Sequence, residues 1–167
     1  MLIASLGACR PAPYNAPDSP TDELALIAQS YLSNHIFKPA FGGQIFCESE
    51  TLQTRQQGSA IKAYLWVLCA EYYREDEVLQ IGTAVSEPLL VYLIERNGGL
   101  LATGFAEPRS GERFAEDLHR IFPVEALRAM CLEDPICSNA RVERLLISLE
   151  QQVGETLKLP LATGSID

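Results

Sequence analysis

Histidine is nearly absent from this chain of 167 residues, which contains only two, and its 13 Lys and Arg residues are outnumbered by 22 Asp and Glu. The resulting net charge of −9 argues against capture of nucleic acid or of an anionic membrane surface, because both depend on clustered Lys and Arg. We therefore predict no nucleic-acid partner, and contact with a membrane only through a lipid anchor.

The sequence also lacks the spacings that metal sites and catalytic centres use. No Cys-x-x-Cys pair with a nearby histidine is present, which argues against a zinc site. Nucleophilic catalysis needs Ser or Cys beside a His and an acid, and the only histidine in the middle of the chain, His119, is predicted to face solvent from a helix. No period of about 20–50 residues repeats, which excludes a solenoid or propeller. We predict no metal, no cofactor and no catalytic residue.

The composition is that of one folded domain. Hydrophobic residues make up 47% of the chain and charged residues 21%, which is typical of a globular protein rather than a disordered one. The length suits a single core and is too short for two ordinary domains. We place the domain over 20–158, an N-terminal tether over 1–19 and a tail over 159–167.

The N-terminus resembles an address for export. Residues 1–8 are uncharged and mostly apolar, and Leu6-Gly7-Ala8-Cys9 resembles the bacterial lipobox, in which the cysteine receives a lipid. The basic residues expected at the start of a signal peptide are missing before Arg10. Either the start codon is assigned too far downstream, or a cytosolic protein begins with an apolar run by chance. The following Pro-rich segment, 10–20, suits an extended tether, or a disordered arm without an anchor.

Hydrophobic periodicity predicts helices at the two ends of the domain and strands in its middle. Ser19-Pro20-Thr21 supplies a helix start, and apolar residues then recur at helical spacing. The predicted elements are a helix over 20–36, strands over 44–56, 60–73, 78–94 and 100–106, and helices over 114–121, 124–130 and about 138–157, the last capped by Ser138 or Asn139.

The strand over 60–73 is the centre of the predicted sheet. It is apolar on both alternating sets of residues, which indicates burial on both faces. Asn97-Gly98-Gly99 is a strong hairpin signal, and Pro88 has to sit at a bulge or at an unbonded edge position. We predict an α+β fold in which helices cover one face of a curled antiparallel sheet. By element order alone, cystatin-like and nuclear-transport-factor-like cones are the nearest architectures.

Four of the five cysteines form two predicted disulfides, with Cys9 assigned to the lipid. Cys47 and Cys69 are equally far along the chain from Gly58, so a hairpin turning there places them across from each other. Cys131 and Cys137 bracket a short loop that a local disulfide can close. Both pairs require an oxidising compartment, and in a reducing one the same cysteines are small buried hydrophobes.

A few polar and aromatic residues of the strands are candidates for a pocket between helix and sheet: Tyr64, Trp66, Glu71, Tyr92 and Glu107. Burial could raise the pKa of a carboxyl in or at the end of an apolar strand. An ion pair at a strand end, such as Glu107 with Arg109 or Arg74, is the competing interpretation, and the aromatic rings could equally serve only as core packing.

Several short motifs prompt a family resemblance: Ala63-Tyr64-Leu65-Trp66, Glu71-Tyr72-Tyr73, Ser86-Glu87-Pro88, the Glu107–Gly111 turn, Ala115–Leu118 and Ile121-Phe122-Pro123. Together they resemble uncharacterised bacterial envelope proteins, often lipoproteins, with a tyrosine-rich strand, a Pro-Arg-x-Gly turn and an Ile-Phe-Pro helix end. The resemblance spans roughly residues 60 to 123. It implies a surface or periplasmic setting and brings no activity and no functional residue set.

These observations leave three hypotheses for function. The first is a non-catalytic binding or accessory module in the bacterial envelope, lipid-anchored or periplasmic, whose partner is an unknown protein or small ligand. The second is a cone-shaped ligand carrier or enzyme with a cavity between helix and sheet. The third is a cytosolic protein with reduced cysteines.

Overall fold

The computed structural model describes residues 20–161, so the candidate lipid site Cys9, the tether over 1–19 and the segment 162–167 lie outside the described residues. The predicted α+β class, with a helix, four antiparallel strands and then helices, is confirmed. The elements are α1 Pro20–His35, β1 Gln44–Gln57, β2 Ala60–Glu75, β3 Val78–Arg96, β4 Gly99–Ala106, α2 Phe114–Ile121, α3 Val124–Ala129 and α4 Pro135–Leu157, with a 3-10 turn at Gly111–Arg113.

The four strands form one sheet in chain order, β1-β2-β3-β4, with every neighbouring pair antiparallel. The turn between β3 and β4 consists of Asn97 and Gly98, whose φ angles of 55° and 78° are both left-handed. Type I′ turns need positive φ at both central residues, and Asn-Gly is the pair that supplies it most easily. The hairpin predicted here is confirmed.

Helices cover both faces of the sheet, so the expectation that they cover one face is wrong. Side chains alternate along a strand, and in β2 the odd-numbered residues Ile61–Cys69 contact α1 while the even-numbered residues Tyr64–Tyr72 contact α2, α3 and α4. The predicted burial of β2 on both faces is confirmed. A strand with two apolar faces requires a covering layer on each face. Helices α2, α3 and α4 cover one face, and α1 covers the other. The likeness to a cone stays a prediction.

Pro88 lies on an edge of the sheet. It pairs with Trp66 of β2, whereas β4 pairs only with residues Leu90–Arg96 of β3. Pro88 therefore sits in a part of β3 that no ladder to β4 reaches, where a missing N–H group is tolerated. This matches the predicted edge position.

The last helix starts earlier than predicted. Asp134 is the N-cap of α4, and its carboxylate accepts hydrogen bonds from the N–H groups of Ile136 and Cys137 at 3.0 and 3.2 Å. The prediction of Ser138 or Asn139 as the cap is wrong, because Asp followed by Pro is itself a strong helix start.

Arg141 of α4 joins three elements from inside the protein, with only 3% of its surface exposed. Its guanidinium donates to the carbonyl oxygens of Ala129 and Met130 at the end of α3, and to a carboxylate oxygen of Glu50 on β1 at 2.9 Å. The guanidinium also lies 5.3 Å from the centre of the Trp66 ring. The buried charge is thus paired and hydrogen-bonded, as burial demands.

The packed chain continues past the predicted end of the domain at 158. Leu159 and Leu161 pack against the core, and the N–H of Leu79 donates to the carbonyl of Pro160 at 2.9 Å. Within the described range no helix is both long enough and apolar enough to span a bilayer.

Candidate functional site

Cys47 and Cys69 form a disulfide across β1 and β2, with their Cα atoms 4.1 Å apart. Both side chains are buried, at 1% and 0% exposure. The predicted pairing is confirmed.

The register that makes this pairing depends on a bulge that the sequence did not reveal. The hairpin turn occupies two residues, so its register continued along β1 would set Cys69 opposite Glu48 and point the two cysteines to opposite faces. At Leu52 the register shifts by one residue, because Leu52 has no partner on β2. Cys47 consequently lies opposite Cys69.

Cys131 and Cys137 form the second predicted disulfide, with Cα atoms 5.9 Å apart. It closes the loop between α3 and α4, and both cysteines are partly exposed. Two disulfides in one small domain indicate an oxidising compartment, since the reducing cytosol keeps cysteine thiols reduced.

The structure does not bring the five predicted pocket residues together. Tyr64 and Trp66 are 4% and 8% exposed and belong to the core between the sheet and the C-terminal helices. Tyr92 is 37% exposed on β3, and Glu107 is exposed just after β4. Glu71 is fully buried and lies beside Ile45, which faces α1 on the other side of the sheet.

Glu71 binds the loop that leads from α1 into β1. Its carboxylate accepts hydrogen bonds from the N–H groups of Ala40, Phe41 and Gly43 at 2.8, 2.8 and 2.9 Å. Burial alone would raise the pKa of Glu71, but these donors and the N–H of Thr83 hold that pKa below its ordinary value. Glu71 therefore lacks the raised pKa that burial alone would give, and its carboxylate is an anchor for the backbone.

Two glycines make room for this anchor. Gly82 and Thr83 together oppose Glu71 in a bulge of β3, and a Cβ on Gly82 would approach a carboxylate oxygen of Glu71 to 3.0 Å. A Cβ on Gly43 would collide with the carbonyl group of Tyr72. Both positions need glycine, because the backbone at Gly82 lies against the Glu71 side chain and the backbone at Gly43 lies against that of Tyr72, which leaves no room for a Cβ atom.

The strand-end ion pair is also different from the expected one. Arg109 pairs with Asp117 of α2 rather than with Glu107: its Nε and Nη2 atoms lie 2.6 and 2.8 Å from the two Asp117 oxygens. Arg120 adds a contact at 2.8 Å. The Arg109 side chain, its backbone N–H and then Arg120 hold the pKa of the fully buried Asp117 well below its usual range. Sequence reasoning missed Asp117, since only the fold sets it beside Arg109.

A cleft of about 700 Å³ lies at the free edge of β1, between α1 and α4. Its floor is Gly43 and the start of β1, Gln44–Phe46. One end is formed by Phe37, Lys38 and Pro39 from the loop that Glu71 anchors. Its walls carry side-chain amides, hydroxyls and apolar groups: Leu26, Gln29, Ser30, Ser33 and Asn34 from α1, and Gln152 and Thr156 from α4.

Hydrogen bonds across the β1 edge hold the two walls in place. Gln29 is 7% exposed, and its Nε2 atom donates to Glu48 at 3.1 Å and to the Ser49 hydroxyl at 3.3 Å. Burial raises the pKa of Glu48, against the opposing effect of hydrogen bonds that include one from Ser148 of α4. Helix α1, strand β1 and helix α4 are thus linked through one carboxylate.

Two buried polar atoms near this region have no hydrogen-bond partner within the described chain: Oε1 of Gln152, which lines the cleft, and the hydroxyl of Tyr72. The Tyr72 ring packs edge-on against Phe46, with centroids 6.0 Å apart. Buried polar groups are normally paired, so Gln152 supplies an acceptor that a bound molecule can use. No local sequence signal distinguishes these residues from an ordinary polar helix face.

Among residues 20–161 no group of three or more His, Cys, Asp or Glu side chains is arranged to hold a metal ion. Comparison with protein-family models, with curated proteins and with solved structures finds no match for the chain.

Proposed function

We propose that this chain is a non-catalytic binding or accessory module of the bacterial cell envelope, anchored by a lipid on Cys9 and a Pro-rich tether. The observation that carries the proposal is the presence of two disulfides in a single domain, which an oxidising compartment permits. The lipobox-like Leu6–Cys9 and the resemblance to envelope proteins agree with that setting.

The binding role is supported by what the buried charged groups do. Glu71 binds backbone N–H groups, Asp117 binds two arginines, and Arg141 binds helix carbonyls. The charge of each of these groups is used to stabilise the fold. The cleft at the β1 edge instead presents polar groups to the outside, as a recognition site does.

The anchor is tested by expressing the chain from its native gene with its upstream sequence, then measuring the intact mass and the fractionation. We expect a diacylglyceryl group on Cys9 and recovery in the membrane fraction. Cys9→Ala should lose both while keeping the two disulfides. A soluble, unlipidated protein with four alkylatable thiols besides Cys9 would contradict the envelope setting and favour the cytosolic hypothesis.

A small-ligand carrier is the second candidate. The cleft volume of about 700 Å³ falls within the roughly 300–1,000 Å³ of small-molecule sites. It differs from the cavity expected between helix and sheet, because it lies at the sheet edge between two helices. Native mass spectrometry of protein purified from its source tests this candidate: a stoichiometric small molecule, lost in a variant that fills the cleft, would support it.

A further inference from the structure

Strand β1 has a free edge at which an extended partner segment can bind. β1 pairs with β2 and with no other strand in the described part of the chain. Alternate N–H and C=O groups of such a strand point away from the sheet, where an extended peptide can add as a further strand. Residues Gln44–Phe46 of this edge line the floor of the cleft.

The walls set the length of what can bind. The bonds from Gln29 to Glu48 and Ser49 close the cleft at one end, and the loop held by Glu71 lies at the other. The floor between these two ends is four residues long, 43–46, which at about 3.3 Å per residue spans roughly 13 Å. It has room for about four residues of an added strand.

The lining chemistry suits a peptide backbone. Side-chain amides and hydroxyls both donate and accept hydrogen bonds, as peptide groups do, and Oε1 of Gln152 is a buried acceptor without a partner. Apolar contacts come from α1 and the loop after it, through Leu26 and Phe37. Among residues 20–161, Lys38 is the only ionisable side chain that lines the cleft, in a chain whose net charge is −9.

We infer that the cleft binds an extended segment of a partner protein, about four residues long, which adds as a strand to the outer edge of β1. An apolar side chain of the segment packs on Leu26 and Phe37, and an acidic residue lies beside Lys38. The inference rests on the proposed binding function and specifies the class of its partner.

The probe is a displayed library of random hexapeptides, panned against the oxidised full chain. Enriched peptides are synthesised, and their affinity is measured by fluorescence anisotropy for two matched variants of α4. Thr156→Trp fills the cleft, whereas Gln151→Trp puts the same side chain on an exposed position of the same helix outside it. We expect affinity to fall at least about tenfold (1.4 kcal/mol) for Thr156→Trp and less than about twofold for Gln151→Trp.

Two further measurements test the mode of binding. Hydrogen exchange within Gln44–Phe46 should slow when peptide binds, because the added strand pairs with the outward-pointing backbone groups of this edge. Lys38→Glu should weaken acidic peptides about tenfold, whereas Lys62→Glu, the same charge change at an exposed position of β2, should not. Ser30→Trp replaces Thr156→Trp if that variant does not fold, since Ser30 lines the opposite wall.

Some outcomes overturn the inference and leave the binding function standing. Peptides that bind Thr156→Trp as well as the original chain, or that leave exchange within Gln44–Phe46 unchanged, place the interaction elsewhere. Cross-linking in an envelope extract is a second test of the location. If the Thr156→Trp variant captures a partner protein as efficiently as the original chain does, the partner binds outside the cleft. If no peptide is enriched and cross-linking captures nothing, the inference and the proposed binding function both fail.

Discussion

At the scale of single residues, Glu71 shows how a buried carboxylate can serve the fold. Strand β2 is apolar around it, and burial there opposes ionisation. Four backbone N–H groups, from Ala40, Phe41, Gly43 and Thr83, nevertheless keep the pKa of Glu71 below its ordinary value. The charge therefore fixes the loop that forms one end of the cleft.

Replacing Glu71 by Gln should destabilise the protein in a pH-dependent way. The amide can accept fewer of the N–H bonds and places its own N–H₂ against them, so we expect a Tm about 5 °C lower at pH 7. Because the folded pKa is depressed, the advantage of Glu71 is fully present above its ordinary value of 4.5 and is lost as pH falls through the folded pKa. Thermal unfolding at a series of pH values measures both effects.

The control for this experiment is Glu77→Gln, which alters an exposed glutamate in the turn between β2 and β3. It should change Tm by less than about 2 °C. A Tm difference between Glu71→Gln and the original chain that grows as pH falls below 4.5 would contradict the assignment.

Tyr72 is the opposite case, a buried polar group that the fold does not satisfy. Its hydroxyl has no hydrogen-bond partner in the part of the chain that the structure describes, and burial, with a contribution from Glu150, raises the pKa of Tyr72 to about 12. Tyr72→Phe removes only this hydroxyl, so we expect stability to rise by about 1 kcal/mol in urea unfolding. Tyr92→Phe at a site 37% exposed should stay within about 0.5 kcal/mol. A loss of stability in Tyr72→Phe would mean that the hydroxyl is paired.

At the scale of elements, the bulge at Leu52 decides which side chains of β1 and β2 meet. A register slip of one residue moves every side chain of a strand to the other face. The bulge restores the alignment that the two-residue turn would otherwise offset, and it brings Cys47 opposite Cys69. The hairpin and its disulfide are therefore set by one unpaired residue.

Inserting an alanine after Leu52 should prevent the disulfide between Cys47 and Cys69. The bulge accommodates one extra residue, so a second one would shift the register and set Cys47 opposite Ala70, pointing away from Cys69. We expect two alkylatable thiols besides Cys9 in the insertion variant by mass spectrometry under denaturing, non-reducing conditions, with the Cys131–Cys137 bond intact.

Deleting Leu52 removes the bulge but joins Thr51 to Gln53, whose partners Leu65 and Tyr64 are adjacent, so this variant should keep both disulfides. An intact Cys47–Cys69 bond in the insertion variant would show that the disulfide, rather than the bulge, sets the register.

At the scale of the whole molecule, the sequence predicts what depends on local signals. The order of elements, the hairpin at Asn97-Gly98 and the double burial of β2 all follow from periodicity and turn chemistry, and the structure confirms them. The partners of Glu71 are far from it in sequence, in the loop before β1 and in a bulge of β3. The cleft likewise combines α1, β1 and α4, so no local pattern announces it.

The two disulfides constrain the whole molecule to different degrees. Cys47 and Cys69 are 22 residues apart, and Cys131 and Cys137 are 6 apart. Loop-closure entropy predicts that removing the first bond costs about 3 kcal/mol and removing the second about 2. Urea unfolding of the two double alanine variants measures this order, and an equal or reversed loss would mean that native packing, rather than loop length, sets the contribution of each bond.

The same two bonds should differ in how they are reduced. Cys131 and Cys137 are partly exposed in a loop, so a thiolate reductant can reach them in the folded protein. Cys47 and Cys69 are 1% and 0% exposed between two strands, so their reduction requires the hairpin to open first. Mild dithiothreitol followed by alkylation and peptide mapping should therefore label Cys131 and Cys137 first, with Cys47 and Cys69 labelled at a comparable rate only near the unfolding transition. Equal labelling of both pairs well below that transition would mean that β1 separates from β2 in the native state, and that the edge at the floor of the cleft is not a rigid template for a bound strand.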